Sequence, residues 1–402
     1  MESSRKELRR RGSHQKSKQR DRDRNSKDEL TPSAATSLDS EDEHGIRKAD
    51  LISEALAFER KTAATWNDEI RLLALQDGGL LHNKLRKPCW LRILNLDEKG
   101  ISKLPLKDES SIPDPTMRQI DLDVARSMGD IKIGASEKRV RLKSSMLRFF
   151  RRNPDLSYYQ GFHDVFAVYC DCFEDQNSQI AVAEVLSRHF IFRDAHAKDF
   201  ATVERLLRTV QWLVDKSDPK CGERLKGSPY WGLSMLITCF AHDVSSRETK
   251  LRIFDAVVSS HPHFPLYLTA ALPLLPNVKA KLLLEDDLAQ CHAIIIEAAR
   301  SIKSIKNADH LIRAARNLME KFPPQDLIQT AELEGILTRE SCIFANFPFD
   351  SRWCAPPKLS KQSALVLKMK RWVRTVHVKH QFGIWMVTVS LIVLFTSYHL
   401  RR

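Results

Sequence analysis

Glycine is scarce, at 13 in 402 residues, and nowhere does it form a G-x-x-x-x-G-K-[ST] or G-x-G-x-x-G run. A phosphate-cradling loop needs such glycines, so the chain shows no nucleotide site of its own. The eight cysteines never pair as C-x-x-C. That removes zinc ribbons and disulfide frameworks and leaves reduced, buried thiols of a cytosolic protein. No apolar run follows Met1, so no signal peptide is expected. Alternating strand patterns and internal repeats are absent as well, which argues against a sandwich or a solenoid.

What the chain has in excess is basic charge, a formal +13 at pH 7, and its location decides its meaning. Residues 1–30 carry 11 basic and 6 acidic side chains, and residues 351–402 carry 10 basic and none acidic. The remainder is near neutral, with 43 basic against 45 acidic, so the body is no polycation and its charge does not point to nucleic acid as a partner. Residues 1–45 are poor in large apolar side chains and predict a disordered basic tail, since so little burial cannot offset the entropy of ordering.

At the other end, residues 380–400 contain no Asp, Glu, Lys or Arg. Their strongly apolar part, Phe382 to Tyr398, would be about 26 Å long as a helix, a match for a thin bilayer. Lys368, Lys370, Arg371, Arg374 and Lys379 form a basic collar suited to anionic lipid headgroups on the cytosolic side. The expectation is a single transmembrane tail anchor over 380–400, preceded by a juxtamembrane linker over 346–379. The endoplasmic reticulum is the expected address; Arg401 and Arg402 also suit the mitochondrial outer membrane.

Between these ends, residues 46–345 read as an all-α, irregular multi-helix domain. In Arg139 to Arg152, Val140, Leu147 and Phe150 fall at helical spacing and Asn153-Pro154 stops the pattern. Further helices are expected over Ala181 to Phe190, Ala201 to Asp215, Tyr230 to His242, Thr249 to Ser259, Asp287 to Ile305 and His310 to Lys321. Breaks are expected at Gly78-Gly79 and at the proline clusters near 112–115, 262–265, 273–276 and 323–324.

Three short patterns stand in order: Arg86-x-x-x-Trp90, Ile120-x-x-Asp123-x-x-Arg126 and Tyr158-x-Gln160, the last followed by Gly161. Each alone admits a structural reading. Arg86 and Trp90 can pack as a cation stem over an indole, and Asp123 with Arg126 can be a surface ion pair worth about 0.2–0.5 kcal/mol. His163, on an apolar stretch, reads as structural. Together and in this order the three resemble the signature motifs of TBC-domain Rab GTPase-activating proteins. The resemblance runs from about Leu75 to Pro324 and includes Tyr230-Trp231, ITCFAHD at Ile237 to Asp243, Arg252-x-x-Asp255 and HPHFPLYL at His261 to Leu268.

The resemblance implies a GTPase activator that supplies catalytic residues in trans to a GTP-bound Rab, with GTP and Mg²⁺ carried by that partner. Arg126 becomes an arginine finger for the charge that grows on the phosphate oxygens, and Gln160 orients the attacking water. Asp123 would hold Arg126 or a neighbour, Tyr158 would pack beside Gln160, Gly161 would permit a tight turn, and Ile120, Arg86 and Trp90 would brace the site. The alternative is a catalytically silent Rab-binding effector or tether on the same fold.

Overall fold

In a computed structural model, the structure describes residues 32–57, 63–102, 114–126, 135–190, 192–197, 201–226 and 229–329. Every regular element among them is helical. The first helices are α1 (Pro32–Ala57), α2 (Ala63–Leu75), α3 (Asn83–Ile93), α4 (Glu98–Ser102), α5 (Asp114–Arg126) and α6 (Ala135–Arg152). Then come α7 (Phe162–Cys172), α8 (Gln176–His189), α9 (Phe192–Ala195), α10 (Ala201–Ser217) and α11 (Pro219–Arg224). A 3₁₀ turn over Pro229–Gly232 leads into α12 (Leu233–Thr238). The described chain ends with α13 (Arg247–Ser259), α14 (Phe264–Leu274), α15 (Pro276–Leu282), α16 (Leu288–Arg300), α17 (Ile305–Lys321) and α18 (Pro324–Gln329). The chain divides into two compact units at Leu51 and Ile52, and the second holds all three motifs.

Local chemistry starts many of these helices. Asp175, Asp218, Ser246, Asp287 and Ser304 each accept a hydrogen bond from the backbone N–H three residues on, satisfying a donor that a helix start leaves free. Burial then fixes their faces. In α10, Val203, Leu206, Leu207, Val210, Leu213 and Val214 are buried at helical spacing, a stripe that packs against α14. Helix α14 is buried on every side from Phe264 to Pro273, which a helix tolerates only at the centre of a domain. It lies against α10 and α17, and the Tyr267 hydroxyl donates to the Phe322 carbonyl oxygen at 2.7 Å.

Several expectations change. Residues 32–45, read as part of the disordered tail, lie within helix α1. Val140 is 66% exposed; α6 buries Phe150, as its spacing predicts, together with Leu142, Ser145, Met146 and Phe149. The helix expected from Tyr230 to His242 is shorter: α12 stops at Thr238, and Cys239 and Phe240 take left-handed φ of 47° and 65°. That reversal swings Ala241 to Asp243 back across the start of α7. Six cysteines, Cys89, Cys170, Cys172, Cys221, Cys239 and Cys291, are buried free thiols, and burial pushes Cys170 up to about 12. No described helix is long and apolar enough to cross a membrane, and the predicted span over 380–400 lies outside the described residues. So do the linker over 346–379, residues 1–31 of the tail, Cys342 and Cys354.

Candidate functional site

Arg126 ends α5, where a cation complements the partial negative charge of the helix terminus. Ile120 and Val124 anchor this helix in the core at 0% and 4% exposure, while Arg126 is exposed. Gln160 is also exposed, in the short segment between α6 and α7. Neither side chain has a hydrogen-bond partner among the described residues, so both forks stay open to a second molecule.

One hydrogen bond ties their supports together. The Tyr158 hydroxyl donates to Asp123 Oδ2 at 2.6 Å, and Gln119 Nε2 donates to Asp123 Oδ1 at 3.1 Å. Asp123 is 2% exposed, and its bonds go to Tyr158 and Gln119 rather than to Arg126. The expectation that it steadies Arg126 is therefore corrected to its other branch, a neighbour. Arg126 lies three residues beyond Asp123 and Gln160 two beyond Tyr158, so this bond joins the two backbone segments that carry them. Burial and then the hydrogen bond to Asp123 raise the Tyr158 phenol above its ordinary value, so it remains a donor.

Gly161 follows at φ +102°, as N-cap of α7. A Cβ there would lie 2.9 Å from Thr238 Cγ2, so the turn demands glycine both for backbone angle and for space. Behind the segment, His196 is buried, its Nδ1 2.8 Å from the Ser157 carbonyl oxygen and its ring 4.5 Å from that of Phe162. The Ser157 N–H donates in return to the His196 carbonyl oxygen at 3.1 Å. Burial depresses His196 to about 4 and keeps it neutral. On the other side the Tyr159 hydroxyl donates to the Ile237 carbonyl oxygen at 2.9 Å.

Arg86 and Trp90 meet on one carboxylate rather than as cation over indole. Arg86 Nε and Nη2 donate to Asp255 at 2.8 and 3.1 Å, the Trp90 indole N–H to the same carboxylate at 2.9 Å, and the Leu80 N–H at 2.9 Å. Beside them Arg252 Nε donates to Asp309 at 2.6 Å. Gly79, at φ +56°, admits this cluster: a Cβ would stand 2.6 Å from Asp255 Oδ2. His163 is buried, its ring nitrogens each 3.4 Å from an oxygen, of Tyr158 and of Asp164, and burial lowers its pKa.

Sequence reasoning gave Asp255, Asp309, His196 and His242 no role. A signal for Asp255 was present: a carboxylate inside the apolar run LRIFDAVV must meet a buried cation. His196 carried none. No cluster of three or more potential metal ligands occurs among the described residues.

The Rab-GTPase-TBC domain family profile matches residues 83–283, from the first residue of α3 to just past α15. TBC1 domain family member 20 of Homo sapiens is 26% identical over 305 residues, 73% of each chain. GTPase-activating protein gyp10 of Schizosaccharomyces pombe is 29% identical over 208 residues, 50% of this chain and 54% of that one. Two solved structures share the fold at 13% identity and a TM-score of 0.55. The Chlamydomonas flagellar RabGAP TBC domain covers 71% of this chain and 96% of its own, and the Ypt/Rab-GAP domain of Gyp1p covers 69% and 99%. With its three motifs ordered on this all-helical scaffold, the chain belongs to the Rab-GTPase-TBC domain family.

Proposed function

We propose that this protein accelerates GTP hydrolysis by a Rab-type GTPase, inserting Arg126 and Gln160 into the partner's nucleotide site. The observation that carries the reading is the pair of exposed side chains, without a hydrogen-bond partner among the described residues, on segments joined by the Tyr158–Asp123 bond. The named relatives TBC1 domain family member 20 and GTPase-activating protein gyp10 support the activity. In this mechanism the guanidinium stabilises charge developing on the γ-phosphate and bridging oxygens, and the carboxamide both donates and accepts as it aligns the water. GTP and Mg²⁺ arrive with the partner. The apolar segment over 380–400 anchors the protein in the endoplasmic reticulum membrane with the helical domain in the cytosol.

Single-turnover hydrolysis across a panel of purified GTP-loaded Rabs tests this. On the best responder, Arg126→Lys is expected to cut stimulation by roughly 10³-fold or more, because lysine keeps the charge and loses the planar fork. Gln160→Ala is severe too, and the double variant falls short of the product of the single losses, since both act on one transition state. Near-normal stimulation by Arg126→Lys refutes the finger; binding of GTP-loaded Rab without stimulation establishes the tether instead. A reporter carrying residues 358–402 is expected in the endoplasmic reticulum membrane, resistant to carbonate extraction, and a soluble reporter refutes the anchor.

A further inference from the structure

His242 lies in the segment that reverses direction after α12. Its Nδ1 is 2.7 Å from Asp164 Oδ2, and its backbone N–H donates to Thr238 Oγ1 at 3.3 Å. Asp164 stands in the first turn of α7, four residues past Gln160, where a carboxylate complements the helix start. The same carboxylate oxygen is 3.4 Å from His163 Nε2; His163 Nδ1 is 3.4 Å from the Tyr158 hydroxyl, which donates to Asp123. Polar contacts thus line up from the half-exposed His242 to the carboxylate that supports α5, and a neutral His163 donates across one of its two 3.4 Å contacts. The end of α12 meets the Gln160 segment at two more points: the Tyr159 hydroxyl donates to the Ile237 carbonyl oxygen, and Thr238 Cγ2 lies where a Cβ at Gly161 would come within 2.9 Å of it.

We infer that His242 is a positioning residue for Gln160, its contact with Asp164 clasping the 237–243 turn onto the start of α7 and fixing where the carboxamide points. The inference rests on the activity proposed above. His242 touches no reacting atom; it acts through the segment it holds.

The clasp also titrates. The groups facing His242 are Asp164, Asp243, His163 and Lys250. The Asp164 hydrogen bond raises the imidazole above its usual 6.5, with burial opposing. A raised histidine forms its ion pair below that pKa and loses it as pH climbs through it, so the clasp loosens on the alkaline side. His163, held neutral by burial, does not compete for the carboxylate as a cation.

The test uses the full chain with His242→Ala and with His242→Asn, whose amide nitrogen can take the place of Nδ1 without titrating. Alanine is expected to lower kcat roughly 10- to 100-fold with KM within about twofold, as a misplaced group does. Asparagine recovers most of that loss, and the ratio of wild-type to asparagine kcat falls as pH rises from about 6.5 to 8.5; taking the ratio cancels the partner's own pH dependence. Amide hydrogen exchange of residues 158–164 in the protein alone rises with alanine and not with asparagine. A kcat untouched by alanine, a loss confined to KM, a ratio flat with pH, or unchanged exchange overturns the inference. If no Rab responds to wild type, the proposed activity fails, and the exchange measurement still decides the clasp.

Discussion

Replacing Asp255 by asparagine removes one negative charge at a site with no exposure to water and four donated hydrogen bonds. Asparagine has nearly the same shape, so no cavity is created. The Arg86 guanidinium, 4% exposed, would keep its charge with only Asn83 Oδ1 and the Leu81 carbonyl as partners. Breaking a buried ion pair from one side costs about 3–5 kcal/mol, because the remaining ion is neither solvated nor paired. The amide must also turn an N–H toward donors, leaving at least one of the Leu80, Trp90 or Arg86 N–H groups unsatisfied for about 1–3 kcal/mol more. These add to roughly 4–8 kcal/mol, a large part of a typical domain stability of about 5–15. At about 2–4 °C per kcal/mol the melting temperature should fall by more than about 8 °C. Thermal unfolding followed by circular dichroism reads it, with urea unfolding as the second measure. A second comparison isolates the charge: Arg86→Met with Asp255→Leu removes both ions and should be less destabilising than Asp255→Leu alone, a sign of coupling. A melting temperature of Asp255→Asn within about 2 °C of wild type would refute the argument that this carboxylate carries Arg86.

Two further outcomes follow from the same geometry. His196, His261 and His263 are buried and neutral, depressed by burial to about 4, to about 3 and well below 6.5 respectively. Below pH 6.5 the unfolded chain binds protons that the fold refuses, so stability should fall between pH 6.5 and 5 by up to about 1.4 kcal/mol per pH unit per histidine. Urea midpoints across that window check it; a flat profile contradicts neutral burial, and His196→Asn should reduce the slope. Gly161→Ala places a Cβ 2.9 Å from Thr238 Cγ2 at a φ of +102° and should cost about 1–3 kcal/mol in unfolding assays. Because the adjacent Gln160 shifts with it, single-turnover stimulation should fall by more than the fraction unfolded explains, and intact stimulation would show that the turn does not place the glutamine.

The helices with a clear apolar period, such as α10 and α17, were readable in the sequence, because a 3.6-residue repeat is a local property that burial on one face enforces. The ordered motifs that contain Arg126 and Gln160 were readable too, since a family resemblance is carried by residue type and order. Partnerships across distance were not. Asp123 sits three residues from Arg126, which made an ion pair between them the natural reading, yet its strongest bond goes 35 residues on to Tyr158. Arg86 finds its carboxylate 169 residues away, and His242 reaches Asp164 across 78. Local spacing is silent on such pairs: which side chain meets a buried charge is set by the helices that the core brings together, and Asp255 is paired only because α13 packs against α3. The left-handed turn at Cys239 and Phe240 has the same origin, for neither residue favours that backbone, and their burial in the core holds them in it.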